Sequence, residues 1–144
     1  MLPPALYWAI LLSVVVYAFR RGALDERVAA LTCLLGTIAT VALSRGAPHK
    51  YNDVEFAVLF VDGAAFLVFT YIALKSSRFW PLWVAGFQLS SMLAHFLRAF
   101  GADMMPQVYA AAERFWIYPI FLAIAVGVWR AQRFELPFKA NLPG

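Results

Sequence analysis

Four side chains, Gln88, Ser91, His95 and Arg98, follow one another at spacings of three, four and three residues. That spacing keeps them on one side of an α-helix, as a polar stripe about 80° wide at about 100° per residue. In the preceding apolar stretch two carboxylates, Glu55 and Asp62, stand seven residues apart and therefore also share a face. Glu113 and Arg114 enter a later apolar stretch. Together these residues offer carboxylates, an imidazole of the type that titrates in the neutral range, two guanidinium groups and neutral hydrogen-bonding partners. One chemistry they suit is a proton or ion relay through Asp62 and His95. Another is capture of a small anion or lipid headgroup by Arg98, Arg114 and His95. Asp62, His95 and Glu113 also have the right atoms for a metal ion, with no diagnostic ligand spacing. Haem ligation would need His49 and His95, and nothing in the sequence brings them together. Ser91 four residues before His95 has the types of a nucleophile and its base, a coincidence common in helices. No G-x-S-x-G, H-E-x-x-H or glycine-rich phosphate loop is present, so the residues name no cofactor and lean away from an enzyme.

The elements that hold these groups follow from composition. Of 144 residues, 63% are hydrophobic, 17% aromatic and 14% charged. A water-soluble domain carries roughly a quarter of its residues charged, so this chain belongs in a lipid bilayer, and disorder is excluded on the same ground. The net charge of +4 does not point to nucleic acid, because the basic residues cluster between apolar runs and set topology instead. A single cysteine, Cys33, lies inside an apolar run, which leaves no intramolecular disulfide and no cysteine metal cluster.

Five apolar runs occur, at about 2–19, 28–44, 54–74, 80–100 and 106–129. Each has the length a helix needs to cross about 30 Å of hydrocarbon. The first run lacks preceding basic residues and a small-residue cleavage pattern, and reads as a membrane helix rather than a leader. The fifth run carries Pro119 in its middle, which predicts a helix from Gln107 kinked at that residue; an interfacial helix from Pro106 to Arg114 followed by a shorter span is the competing reading. Residues 130–144, with Phe134, Leu136 and Phe138 between Arg133 and Lys139, suit the membrane interface. The expected fold is an all-α integral membrane protein with five transmembrane helices in a single polytopic domain. With the N-terminus outside and the C-terminus inside, eight lysines and arginines fall on the cytoplasmic side and four on the other. A bacterial inner membrane is the expected location.

Two kinds of helix face can be read. Small residues line Ala5, Ala9 and Ser13; Cys33, Gly36, Thr37, Thr40 and Ser44; Gly86, Ser90 and Ala94; and Ala123, Gly127 and Ala131. In lipid such stripes let helices approach closely. The ionisable groups form the other kind. Under the expected topology Glu55, Asp62, His95, Arg98, Glu113 and Arg114 all fall in the outer half, with Asp62 roughly 12 Å below the outer end at about 1.5 Å per residue. Continuing the same faces inward gives Phe66, Phe69, Ile117, Ile120 and Ile124, so the polar group should be sealed from the cytoplasm. Buried charges need partners, which predicts that Asp62 pairs with His95 or Arg98 and Glu113 with Arg98 or Arg114. The charged turn Asp25-Glu26-Arg27 reads as a solvated helix start, and Asn52 and Asp53 as a helix cap. The functional expectation is a non-enzymatic membrane component acting as a homo-oligomer or as an accessory subunit of a larger membrane complex. The alternative is a small proton- or ion-coupled transporter or channel using Asp62 and His95.

Overall fold

The computed structural model of the chain describes residues 3–46, 51–100, 115–135 and 141, the side chains of 51–55, 99 and 134–135 excepted. Five α-helices make up almost all of the described residues: α1 Pro4–Arg21, α2 Leu24–Gly46, α3 Tyr51–Lys75, α4 Trp80–Ala99 and α5 Ile117–Arg130, which continues as a π-helical turn over Ala131–Glu135. Three of these stretches, Pro4–Arg21, Leu24–Gly46 and Phe56–Lys75, are long and apolar enough to cross a membrane. The protein is therefore built as a helical membrane protein. The remaining two expected crossings rest on α4, whose 20 residues include the polar stripe, and on α5, which has 14.

Helix boundaries follow from local chemistry. Pro4 opens α1 after an extended Pro3, a position where the missing N–H has no partner to lose. The reversal between α1 and α2 needs only Gly22 and Ala23. Gly22 donates its N–H to the Ala18 carbonyl at 2.9 Å, and a Cβ there would come within 2.6 Å of that oxygen and 3.0 Å of the Glu26 Cβ. A side chain at that position has no room. Pro81 lies in the first turn of α4 for the same reason as Pro4 in α1. Pro119 is the third residue of α5, which begins at Ile117; just before it Phe115 is helical and Trp116, in the right-handed helical region, forms a turn. The expected continuation back to Gln107, and the interfacial helix of the competing reading, lie outside the described residues.

Each helix touches the next, and α5 closes back onto α1 while also reaching α2, so the five form a ring. One end of the ring is solid. There Ala18, Ala29, Ala30, Val84, Val128 and Ala131 are fully buried, with Trp80 and Ile72 nearly so. Gly127 makes this packing possible, because its Cα faces the Trp80 indole so closely that a Cβ would lie 2.8 Å from three ring atoms.

The small-residue stripes divide between inside and outside. Cys33, Gly127 and Ala131 are buried, while Ala5, Ala9 and Ser13 on α1 and Gly86 on α4 are exposed on the outer surface of the ring. Burying Gly127 against a rigid indole makes a sharp prediction. Gly127→Ala should lower stability by about 1–3 kcal/mol through overpacking. Thermal unfolding in detergent should show a lowered midpoint for it and a slightly raised one for Gly86→Ala, where a Cβ meets nothing within 4 Å and alanine is the better helix former.

Candidate functional site

The other end of the ring is hollow. A cavity of about 610 Å³ lies among all five helices, at the level where α1 and α5 begin, α2 ends and α3 and α4 face each other. On α3 its lining runs Val58, Val61, Asp62, Ala65 and Phe69, and on α4 Gln88, Ser91 and His95, one face of each helix. Across the ring α2 supplies Thr32, Cys33, Gly36, Thr37, Thr40, Val41 and Ser44, and α1 supplies Tyr7 and Trp8. Ile117, Tyr118 and Ile120 of α5 complete the wall.

Asp62 is the centre of the polar wall. The two helices that meet there, α3 and α4, are neighbours in the ring and turn their polar stripes toward each other. His95 Nε2 stands 3.1 Å from Asp62 Oδ2. On the other carboxylate oxygen, Gln88 Nε2 donates to Oδ1 at 3.1 Å, and the same amide reaches the Asp62 backbone carbonyl at 3.3 Å. Both oxygens of a carboxylate set in an apolar helix thus have a donor, which is the condition for keeping it there. Gln88 and Ser91 are buried, and the Asp62 and His95 side chains keep 20% and 12% of their surface exposed. The carboxylate can therefore be reached from the cavity.

The opposite wall is aromatic. Tyr7 makes contacts with Trp8, Tyr118 and Phe121 at ring separations of 6.2, 6.4 and 5.9 Å. Edge-on and tilted packing of this kind holds the rings in place. The Tyr7 hydroxyl is 2.8 Å from the Thr37 hydroxyl and ties α1 to α2. Toward the solid end the cavity stops at Phe69 and Ile120, both nearly inaccessible, with Ile124 fully buried beyond.

Of the residues selected from the sequence, the structure brings together Asp62, Gln88, Ser91 and His95 at one cavity wall. Arg98 is described and does not line the cavity. No lysine or arginine does so among the described residues. The Glu55 side chain, Glu113, Arg114 and His49 lie outside the described residues, as do the side chains of Asn52 and Asp53. No group of three His, Cys, Asp or Glu side chains able to hold a metal ion occurs among the described residues.

One ionisable residue was read differently in the sequence. Glu26 is expected at a solvated helix start, but α2 begins at Leu24, and Glu26 falls inside the solid end with no exposed surface. Its Oε1 accepts a charge-assisted hydrogen bond from Arg78 Nη1 in the link between α3 and α4. The signal was present in the spacing, since Glu26 is three, four and seven residues before Ala29, Ala30 and Cys33, all buried.

No family model matches the chain, and neither do any curated protein or solved structure.

The Glu26 pair gives a stability test of the solid end. Removing one partner strands a buried charge, at a cost of about 3–5 kcal/mol, whereas replacing both with apolar residues can be neutral. Unfolding of detergent-solubilised protein should therefore show a steep loss for Arg78→Leu and recovery of most of it in Glu26→Leu/Arg78→Leu.

Proposed function

We propose that this protein is a small proton- or ion-coupled carrier of a bacterial-type inner membrane. The chain crosses five times, with the N-terminus outside and the C-terminus inside. The observation that carries this reading is a carboxylate and an imidazole in contact on the wall of a cavity within the helix ring. An ionisable pair inside a membrane helix bundle has a substantial insertion cost and is by default a candidate for a substrate or ion pathway. The lysine and arginine asymmetry supports the orientation, which places the cavity in the outer half of the membrane.

The chemistry follows from charge. With His95 neutral, its Nε2–H donates to Asp62 and the wall carries one negative charge. With His95 protonated, the same contact is an ion pair and the wall is neutral. An imidazole changes between these forms in the neutral pH range. Gain or loss of one proton at His95 therefore alters what the cavity attracts, while Gln88 holds the carboxylate in the same place in both forms. Phe69, Ile120 and Ile124 separate the cavity from the solid end, so passage through the protein requires a second arrangement of the helices.

A second reading has its own observation. The small-residue faces of α1 and α4, at Ala5, Ala9, Ser13 and Gly86, point out of the ring, where another helix can approach closely. On this reading the protein works as a homo-oligomer or as an accessory subunit of a larger membrane complex, and the Asp62 cluster fixes helix register.

Proteoliposomes separate the two. A carrier gives proton flux that changes through the imidazole titration range and disappears in Asp62→Asn while the protein elutes as a folded species. An accessory subunit gives no flux in any variant, and in mild detergent its particle mass exceeds one chain plus its micelle, falling when Gly86 and Ala9 are replaced by leucine.

A further inference from the structure

We infer that the cavity binds a monovalent organic cation, an ammonium group on a small apolar body, with its charge at Asp62 and its body against the aromatic wall. This rests on the carrier reading and names the class of solute.

Three features of the cavity select that class. First is sign. Among the described residues Asp62 is the lining residue that carries formal negative charge, and no lysine or arginine lines the cavity. An anion would meet the Asp62 carboxylate there; of the residues expected to capture one, His95 lines the cavity beside Asp62, Arg98 does not line it, and Arg114 lies outside the described residues. Second is the set of donors and acceptors. The two oxygens of Asp62 each receive one hydrogen bond, from His95 and Gln88. An ionised carboxylate offers about four lone-pair sites, so roughly two remain for N–H groups of an ammonium. Third is the opposite wall. Tyr7, Trp8 and Tyr118 line the same space. A cation within about 6 Å of such a ring gains roughly 0.5–2 kcal/mol, and quaternary ammonium groups are recognised in this way.

Size and coordination separate an organic cation from a metal ion. About 610 Å³ is the scale of a small-molecule site rather than of a bare ion. A metal ion also needs several hard or imidazole ligands converging on one point. Among the described residues no such group of three is present.

His95 then has a defined part. Its proton and the bound cation both act on the Asp62 charge, so they oppose each other. Among the described residues the titratable groups facing this space are Asp62 on α3, His95 on α4, Tyr7 on α1, Cys33 on α2 and Tyr118 on α5. Of these only the imidazole ordinarily changes charge near neutral pH. Cation binding and protonation of His95 are thereby linked, the arrangement an exchanger of protons for cations requires.

The test uses the full chain in lipid nanodiscs, with benzylammonium and benzenesulfonate as ring-bearing probes of opposite charge, and equilibrium dialysis as the readout. Benzylammonium should bind saturably. Asp62→Asn should weaken it at least tenfold, Asp62→Glu should retain it, and Tyr118→Leu should weaken it several-fold; the glutamate variant guards against a folding defect in the asparagine one. Benzenesulfonate binding as well as the cation, or cation binding indifferent to Asp62→Asn, overturns the inference. Proton flux is measured on the same preparations. Asp62-dependent flux without cation binding overturns the cation assignment and leaves the carrier reading intact, whereas absence of both overturns the two together.

Discussion

A carboxylate placed within an apolar helix has to find hydrogen-bond donors, and in this protein the donors come from the neighbouring helix. Asp62 in α3 is met on one oxygen by His95 and on the other by Gln88, both of α4. That requirement fixes the rotation of α3 against α4, because a turn of either helix by one residue would carry the partners off by about 100° and leave a buried polar group unsatisfied. Once α3 and α4 face each other in this way, the rest of their shared stripe, Val58 to Phe69 and Gln88 to His95, has to line a common space. The cavity is the geometric consequence of satisfying one acid.

The ring around it is strongly asymmetric along its length. At the solid end small residues, Trp80 against Gly127, and the Glu26–Arg78 pair leave no room between helices. Among the described residues three buried polar atoms, Glu26 Oε2, Thr70 Oγ1 and Trp80 Nε1, have no hydrogen-bond partner. At the hollow end the same helices enclose a polar wall and an aromatic wall. Apolar side chains at Phe69, Ile120 and Ile124 form the border between the two. A helix bundle in lipid gains little from hydrophobic burial, so close packing of small residues at one end supplies the cohesion that lets the other end stay open.

How much of this is readable in the sequence depends on what each signal measures. Hydropathy and spacing report which residues share a helix and which share a face. On that basis the stripe Gln88, Ser91, His95, the position of Asp62 and the closing residues Phe69 and Ile120 were all legible. Spacing alone does not say whether a face turns toward a neighbour or toward lipid. The stripes of α1 and α5 look alike as sequence, and yet Ala5, Ala9 and Ser13 are exposed while Gly127 and Ala131 are buried. Glu26 was hidden for another reason. Flanked by Asp25 and Arg27 it has the composition of a solvated turn; its spacing puts it on the face of Ala29, Ala30 and Cys33, but its partner Arg78, 52 residues away, is reported by no local pattern. Pro119 shows the same limit, since a proline inside an apolar run marks a kink or a helix start equally well until the helix boundary is known.

The claim on which the account stands is that Asp62 and His95 are in direct contact when the protein is in a bilayer. Dipolar recoupling between a labelled Asp62 carboxyl carbon and His95 Nε2 in solid-state NMR of the reconstituted protein measures it. A nitrogen 3.1 Å from a carboxylate oxygen predicts strong dephasing. Absence of dephasing in the unmodified protein would contradict the account and leave only the helices standing.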